Sequence, residues 1–182
     1  PRRYGLAARR AALKLLDAVL RRGEALETAL HAATQGLTRG SDKGLAHAIA
    51  ADALRWMVDI DALIDNVTEQ IIPPDAKSRM VLRLALAQIL CLETPHHAAV
   101  STALPLVDGG PRKLVHGLLG SLIRAEVTLP EQPTLPAEVA ERWAAQWGDA
   151  MTHAAARALC HRAPIDLTLA DSSETAQFVD ML

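Results

Sequence analysis

The sequence predicts an all-α protein, and three observations support this. Half of the 182 residues are apolar, yet aromatic residues make up only 3% of the chain. Alanine and leucine are abundant instead, which favours closely packed helices over sheets built from β-branched and aromatic side chains. The third observation is a nearly continuous apolar stretch from Leu82 to Leu92, too uniform for a surface helix. We therefore expect a bundle with this stretch as its buried central helix.

Apolar residues at helical spacing predict the elements before the central helix. Three helices are expected there: one bracketed by Gly5 and Gly23, one from Glu24 to Gln35, and one from Ser41 to the Pro73-Pro74 break, bent near Asp59. Ser41 and Asp42 are candidate caps for the third helix, and Asp75 is a candidate cap for the central one, because their side-chain oxygens suit that position.

Two further helices are predicted after the central one. The first covers His97 to Val107 and must bend or end at Pro105, because proline lacks the backbone N–H that a helix interior needs. The second runs from Arg112 to Ala125, after the Gly109-Gly110-Pro111 break. A helical domain therefore occupies residues 1–127.

The composition changes after this domain. Three prolines within residues 128–136 predict a linker. A helical hairpin is then predicted at 137–163, because Pro136 suits the start of one helix and Gly148-Asp149 the start of the next. Its apolar stripe contains Trp143 and Trp147. From Ile165 to Leu169 the apolar period becomes two, and a helix-like segment follows. A strand and a helix alone do not form a domain, so we expect 164–182 to begin a truncated α/β subdomain.

Several classes of protein do not fit this sequence. The longest apolar run is about half of the ~20 residues that a membrane helix needs, and the Arg-rich start lacks the apolar core of a signal peptide. Cys91 and Cys160 are far apart and have no metal-ligand spacing, so we expect no disulfide, no metal site and a cytoplasmic location. The chain begins at Pro1 without methionine, and we expect it to be a fragment.

The net charge of −2 conceals blocks of opposite sign. Residues 1–22 carry seven basic side chains against one acid, and residues 77–124 carry six against two, whereas 24–75 and 125–182 are each net −6. Basic helices of this kind attract nucleic-acid phosphates without reading bases. A solvated basic face is the alternative interpretation, and composition alone favours it.

Ordered sequence patches resemble the NusB fold. They are Ala8 to Leu16 followed by Gly23, Ser41 to Ala46 leading to Leu54-Arg55-Trp56, Arg83 to Leu92, Pro95 with Ala98-Ala99-Val100, and Gly117 to Arg124. The segments after residue 125, with Glu141-Arg142-Trp143, Trp147-Gly148 and Ala163 to Leu169, are similar to the linker and first strand of the 16S rRNA cytosine-C5 methyltransferase family. The chain is thus similar to the NusB-like amino-terminal domain of that family.

This resemblance implies an accessory segment that positions 16S ribosomal RNA for a methyltransferase domain absent from this chain. S-adenosylmethionine and the catalytic cysteines would belong to that domain, so neither cysteine of this chain is assigned a catalytic role. Attack by a thiolate requires a lowered pKa and an open pocket, which an aliphatic helix interior denies to Cys91. The alternatives are a standalone NusB-like antitermination factor and a helical protein-interaction module.

Under this interpretation, basic side chains contact the RNA. The leading candidates, Arg9, Arg10 and Lys14, fall within about one turn of the first helix, and Arg2 and Arg3 extend the cluster if the arm orders on binding. Lys77, Arg79 and Arg83 form a second cluster at the start of the central helix. For Arg79 and Arg83, pairing with the acids of the third helix is the stronger alternative.

Overall fold

The computed structural model describes residues 5–161, 168–171, 173, 175 and 179. Residues 5–161 form nine α-helices and one 3₁₀ turn: α1 (Leu6–Arg22), α2 (Leu26–Ala33), α3 (Gly40–Arg55), α4 (Met57–Asn66), α5 (Lys77–Leu90), α6 (His96–Ala103), the 3₁₀ turn (Leu104–Leu106), α7 (Gly109–Arg124), α8 (Ala137–Trp147) and α9 (Asp149–Ala158). The described part of the chain contains no strand, and the all-α prediction is confirmed.

Helix α5 is the central element. Every residue from Ser78 to Gln88 is buried, and the helix packs against α1, α3, α4, α6 and α7. Full burial of Leu82, Leu84 and Leu86 contributes roughly 1.5–3 kcal/mol to folding for each side chain. The prediction of a wrapped apolar helix is confirmed, with Leu84 only 1% exposed and Ile89 half-buried near the end.

The third predicted helix is two helices. The chain leaves helical geometry at Trp56, which ends α3 and precedes α4, three residues before the bend expected near Asp59. Apolar periodicity continues through Trp56, so the pattern contained no signal for a break. The helix predicted from His97 to Val107 ends at Ala103, and Pro105 lies in the following 3₁₀ turn.

The predicted side-chain caps do not form. Helix α3 begins at Gly40 with Arg39 at its N-cap, so Ser41 and Asp42 already lie inside the first turn. Ala76 occupies the N-cap of α5, one position after Asp75. A cap must sit at the first non-helical residue to reach the free N–H groups, and the predicted caps lie one to three positions away from that residue.

The linker and the hairpin follow the bundle. Residues 128–136 contain no helix, and Thr134 is held to α4 because its backbone N–H and its hydroxyl both donate to Asp59, at 2.9 and 2.6 Å. Helices α8 and α9 meet at Gly148, whose φ of 82° suits glycine. The Trp143 and Trp147 rings pack edge to face at 5.9 Å.

The strand predicted at 165–169 and the helix after it fall largely outside the described residues. Among the helices that the structure describes, none is long and apolar enough to cross a membrane.

Candidate nucleic-acid interface

The exposed side of α1 carries Arg10 and Lys14. Both residues are exposed, and they are separated by one helical turn, which places them on the same face. Within residues 5–161 neither side chain has a hydrogen bond or an ion pair. Their charges are therefore available to a ligand, and their predicted contact with RNA stays a prediction.

Arg9 points away from this exposed face and lies inside the bundle. It is 8% exposed, and its Nε donates to Gln88 Oε1 at 2.7 Å while Nη1 donates to the Gly5 carbonyl at 3.3 Å. Burial lowers the pKa of Arg9, and the nearby charge of Asp42 opposes this only in part. Consecutive helical residues point about 100° apart, so Arg9 and Arg10 cannot serve one surface, and Arg9 stabilises the fold.

The second predicted cluster, Lys77, Arg79 and Arg83, also contains both buried and exposed residues. The Arg83 side chain is 3% exposed and binds Asp61 through two hydrogen bonds, Nε to Oδ1 at 2.8 Å and Nη2 to Oδ2 at 2.7 Å. Arg79 is equally buried and pairs with both Asp61, at 3.2 Å, and Asp65. The structure thus contains the pairing that the sequence offered as the alternative to RNA contact.

The pKa of Arg79 reflects this environment. Burial alone would lower it, but the hydrogen bonds and negative charges of Asp65 and Asp61 outweigh that effect and raise the pKa above its ordinary value. Because the Arg79 guanidinium is already paired with two carboxylates, it is poorly available to bind a phosphate.

Lys77 alone of the second cluster is exposed, and it joins Arg10 and Lys14 around one cavity of about 730 Å³, which we call the α1–α5 groove. Its remaining charged lining residues are Asp17, Arg21, Arg22, Glu24 and Asp108, and its apolar lining residues are Leu13, Ala29, Ala32, Ala33, Met80, Pro105 and Leu106. The structure therefore combines one exposed residue of the second cluster with two of the first.

Arg21 and Arg22 contribute less free charge to the groove. Arg22 pairs with Glu24 at 2.5 Å and with Asp17 at 3.1 Å, and the hydrogen bond that Arg22 donates to Glu24 raises the pKa of Arg22. Arg21 contacts Asp17 at 3.4 Å and donates to the Asp75 carbonyl at 2.5 Å. Neither the contribution of these two arginines nor the apolar groove lining can be predicted from the sequence, because both depend on how α1, α2 and the 3₁₀ turn pack together.

Arg2 and Arg3 lie outside the described residues, so their predicted role stays a prediction. Cys91 is half-buried, and burial, followed by the charge of Asp52, raises its pKa to about 12. The thiol is therefore protonated at neutral pH and unsuited to nucleophilic attack. In the part of the chain that the structure describes, no three His, Cys, Asp or Glu residues are grouped to hold a metal.

Comparison with known proteins places this geometry in context. The NusB family matches residues 6–124. The ribosomal RNA small subunit methyltransferase B of Xanthomonas campestris pv. campestris is 28% identical over 151 residues, covering 80% of this chain and 35% of that protein. The solved structure of T. maritima NusB has a TM-score of 0.58 at 24% identity, covering 71% of this chain and 94% of that one. The chain thus spans about a third of the length of the curated relative.

Proposed function

The chain belongs to the NusB family, and we propose that it is the RNA-positioning segment of an S-adenosylmethionine-dependent 16S rRNA cytosine-C5 methyltransferase. Its partners would be the small-subunit rRNA and the methyltransferase domain of the same protein, and its location the cytoplasm. S-adenosylmethionine would bind that other domain, and no residue of this chain is assigned to it.

One observation carries the choice of a methyltransferase over a free NusB factor. Similarity to the curated methyltransferase covers 80% of 182 residues, or about 146, whereas the NusB family match covers only residues 6–124. Of the positions matched to the methyltransferase but outside residues 6–124, at most five can precede residue 6. The similarity therefore extends well beyond α7. The linker and the α8–α9 hairpin contain most of the chain that lies there, and both are additional to the NusB fold.

The geometry suggests how the segment acts. Among the residues that the structure describes, Arg10, Lys14 and Lys77 have no ion pair or side-chain hydrogen bond, and all three line the α1–α5 groove. Such charges bind phosphates regardless of sequence. The buried pairs at Arg9, Arg79 and Arg83 hold α1, α4 and α5 in place beneath them. The segment would therefore supply affinity and orientation, while target selection and chemistry belong to the methyltransferase domain.

A matched pair of charge variants tests this proposal. We expect Arg10→Ala with Lys14→Ala to weaken binding to a small-subunit rRNA fragment by about tenfold or more at low salt, because two phosphate contacts disappear. Arg142→Ala with Arg157→Ala removes the same charge from exposed positions on α8 and α9. An equal loss of affinity in both double variants would contradict a localised interface.

A free NusB-like antitermination factor is the second candidate, favoured by the 94% coverage of T. maritima NusB. The coding sequence beyond Leu182 separates the two: a Pro-Cys motif and a Gly-rich cofactor loop support the methyltransferase, and an immediate stop codon supports the free factor. The absence of RNA binding even at low salt would instead favour a protein-interaction module.

A further inference from the structure

The linker between the bundle (α1 to α7) and the α8–α9 hairpin is held at several points along its length. Leu129 packs against the core of the bundle, and Pro133 is buried. Cys160, which follows α9, donates from its Sγ to the Glu131 carbonyl at 3.3 Å. A freely flexible linker as long as residues 128–136 would have its ends about 15–18 Å apart on average and in constant motion. The contacts instead give this linker a defined path.

The contact between Thr134 and Asp59 fixes the end of the linker that leads into the hairpin. Asp59 lies on α4, and its two carboxylate oxygens accept from the hydroxyl and the backbone N–H of Thr134 at 2.6 and 2.9 Å. Within residues 5–161, no other hydrogen bond joins residues 128–136 to the bundle. Two charge-assisted bonds to one carboxylate define an orientation as well as a distance. Because α8 begins shortly afterwards at Ala137, this contact sets the point from which the hairpin leaves the bundle.

A fixed hairpin has a consequence for catalysis under the proposed function. The RNA would contact the bundle, while its target cytosine must enter a methyltransferase domain on the far side of the hairpin. One RNA molecule then spans the connection, and the linker sets the distance between its two points of contact. Reaction rates depend steeply on such placement, and a displacement of about 1 Å can lower a rate by about 100-fold.

We propose that Asp59 is a positioning residue, which through Thr134 makes the bundle and the hairpin one rigid body and so fixes the distance between bound RNA and the methyltransferase domain. This inference rests on the proposed function, and it adds a substrate preference. An RNA long enough to contact the bundle and the catalytic domain together benefits from the rigid connection. A short RNA that reaches only the catalytic domain does not.

The rigid connection can be measured on this chain alone. Relaxation of the ¹⁵N backbone amides gives a rotational correlation time for each helix, and α8 and α9 should share the time of α1 to α7. In Asp59→Ala, which removes both bonds, and in Thr134→Val, which removes one, the hairpin should show a shorter apparent time than the bundle. Glu138→Ala removes an exposed acid of α8, and Thr134→Ser keeps both donors, so these two variants should match the parent chain. A hairpin that tumbles independently in the parent, or with the bundle in every variant, would overturn the inference.

The kinetic test uses the full-length enzyme and two RNA substrates. On a small-subunit rRNA fragment, Asp59→Ala should lower kcat by about tenfold or more, with the KM and the affinity for this RNA unchanged. An oligonucleotide that is centred on the target cytosine and too short to reach the bundle should be methylated at the parent rate. Glu138→Ala should behave as the parent on both substrates.

The same measurements separate the possible failures. An equal loss of rate on both RNAs would mean that Asp59 acts through stability, and a loss of affinity without a loss of kcat would mean that it contacts RNA. Either result, or an unchanged kcat on the long RNA, contradicts the positioning role and leaves the proposed function standing. If the full-length parent enzyme methylates neither RNA, the proposed function fails, and the positioning role fails with it.

Discussion

Gln88 and Arg9 form the most informative residue pair in the bundle. Gln88 is 1% exposed, its Oε1 accepts from Arg9, and its Nε2 donates to the Leu84 carbonyl at 2.9 Å. The pair gives a buried guanidinium its partner at the centre of the fold. A sequence pattern identifies Arg9 as basic and helical, but the direction of its side chain depends on where α1 packs against α5.

Replacing Gln88 by leucine should therefore destabilise the protein. The change leaves the buried Nε of Arg9 without an acceptor, which costs about 1–3 kcal/mol. Arg9→Leu combined with Gln88→Leu removes both polar groups and should recover much of that loss. Urea unfolding of the two variants measures the difference, and equal stability of Gln88→Leu and the parent protein would contradict a structural role for the pair.

Cys91 offers a second test at the residue scale. Its pKa of about 12 keeps the thiol protonated at about pH 8, so iodoacetamide should modify native Cys91 slowly and urea-unfolded Cys91 rapidly. A folded-state pKa above the unfolded value also means that this thiol stabilises the fold fully below the unfolded pKa and progressively less as pH rises toward 12. Mass spectrometry after timed alkylation measures the protection, and rapid native labelling would contradict it.

At the scale of elements, α4 and α5 are joined by a charge network. Asp61 accepts two hydrogen bonds from Arg83 and pairs with Arg79, and it is itself partly buried, with 24% of its side chain exposed. Removing one partner of such a pair leaves a buried charge without compensation. The network therefore fixes the position of α4 against the central helix.

Asp61→Ala should lower the free energy of unfolding by about 2–4 kcal/mol, because two buried guanidinium groups lose a partner. Glu69→Ala removes an acid from an exposed position close in sequence and should change stability by less than about 0.5 kcal/mol. Chemical denaturation compares the two variants. A similar small effect in both would mean that water replaces Asp61 at little cost.

The sequence predicted most of these helices, but not which charged side chains of each helix are buried. Apolar spacing identified the neighbouring helices. The central helix was identified because its nearly uniform apolar composition predicts burial on all sides. The break at Trp56 has no glycine or proline to mark it. The sequence favoured pairing of Arg79 and Arg83 with acids of the third predicted helix, but it did not identify Asp61 and Asp65, 14 to 22 residues away, as the partners. Long-range pairing of this kind leaves no local periodic signal.

At the scale of the whole molecule, the contact between Thr134 and Asp59 ties the linker to the bundle. Asp59→Ala removes the acceptor for both the backbone and the hydroxyl of Thr134. We expect faster amide hydrogen exchange in the linker and the α8–α9 hairpin, with α5 as well protected as before. Unchanged exchange after Thr134 would show that other contacts hold the hairpin.

The α1–α5 groove could not be predicted from the sequence either. Arg10, Lys14 and Lys77 were each predicted to contact RNA, but as two separate clusters, since only the folded bundle brings α1 and the start of α5 to one cavity. The groove is a property of the tertiary arrangement, and it supports the proposal of a single interface.

The most direct test of that interface is the salt dependence of binding to a small-subunit rRNA fragment. Each phosphate contact with a single strand contributes about −0.7 to the slope of log affinity against log salt concentration. The triple variant Arg10→Ala, Lys14→Ala and Lys77→Ala should therefore bind more weakly than the parent chain, with a slope shallower by about 2. A slope identical to that of the parent chain would contradict the assignment of these three residues to the RNA interface.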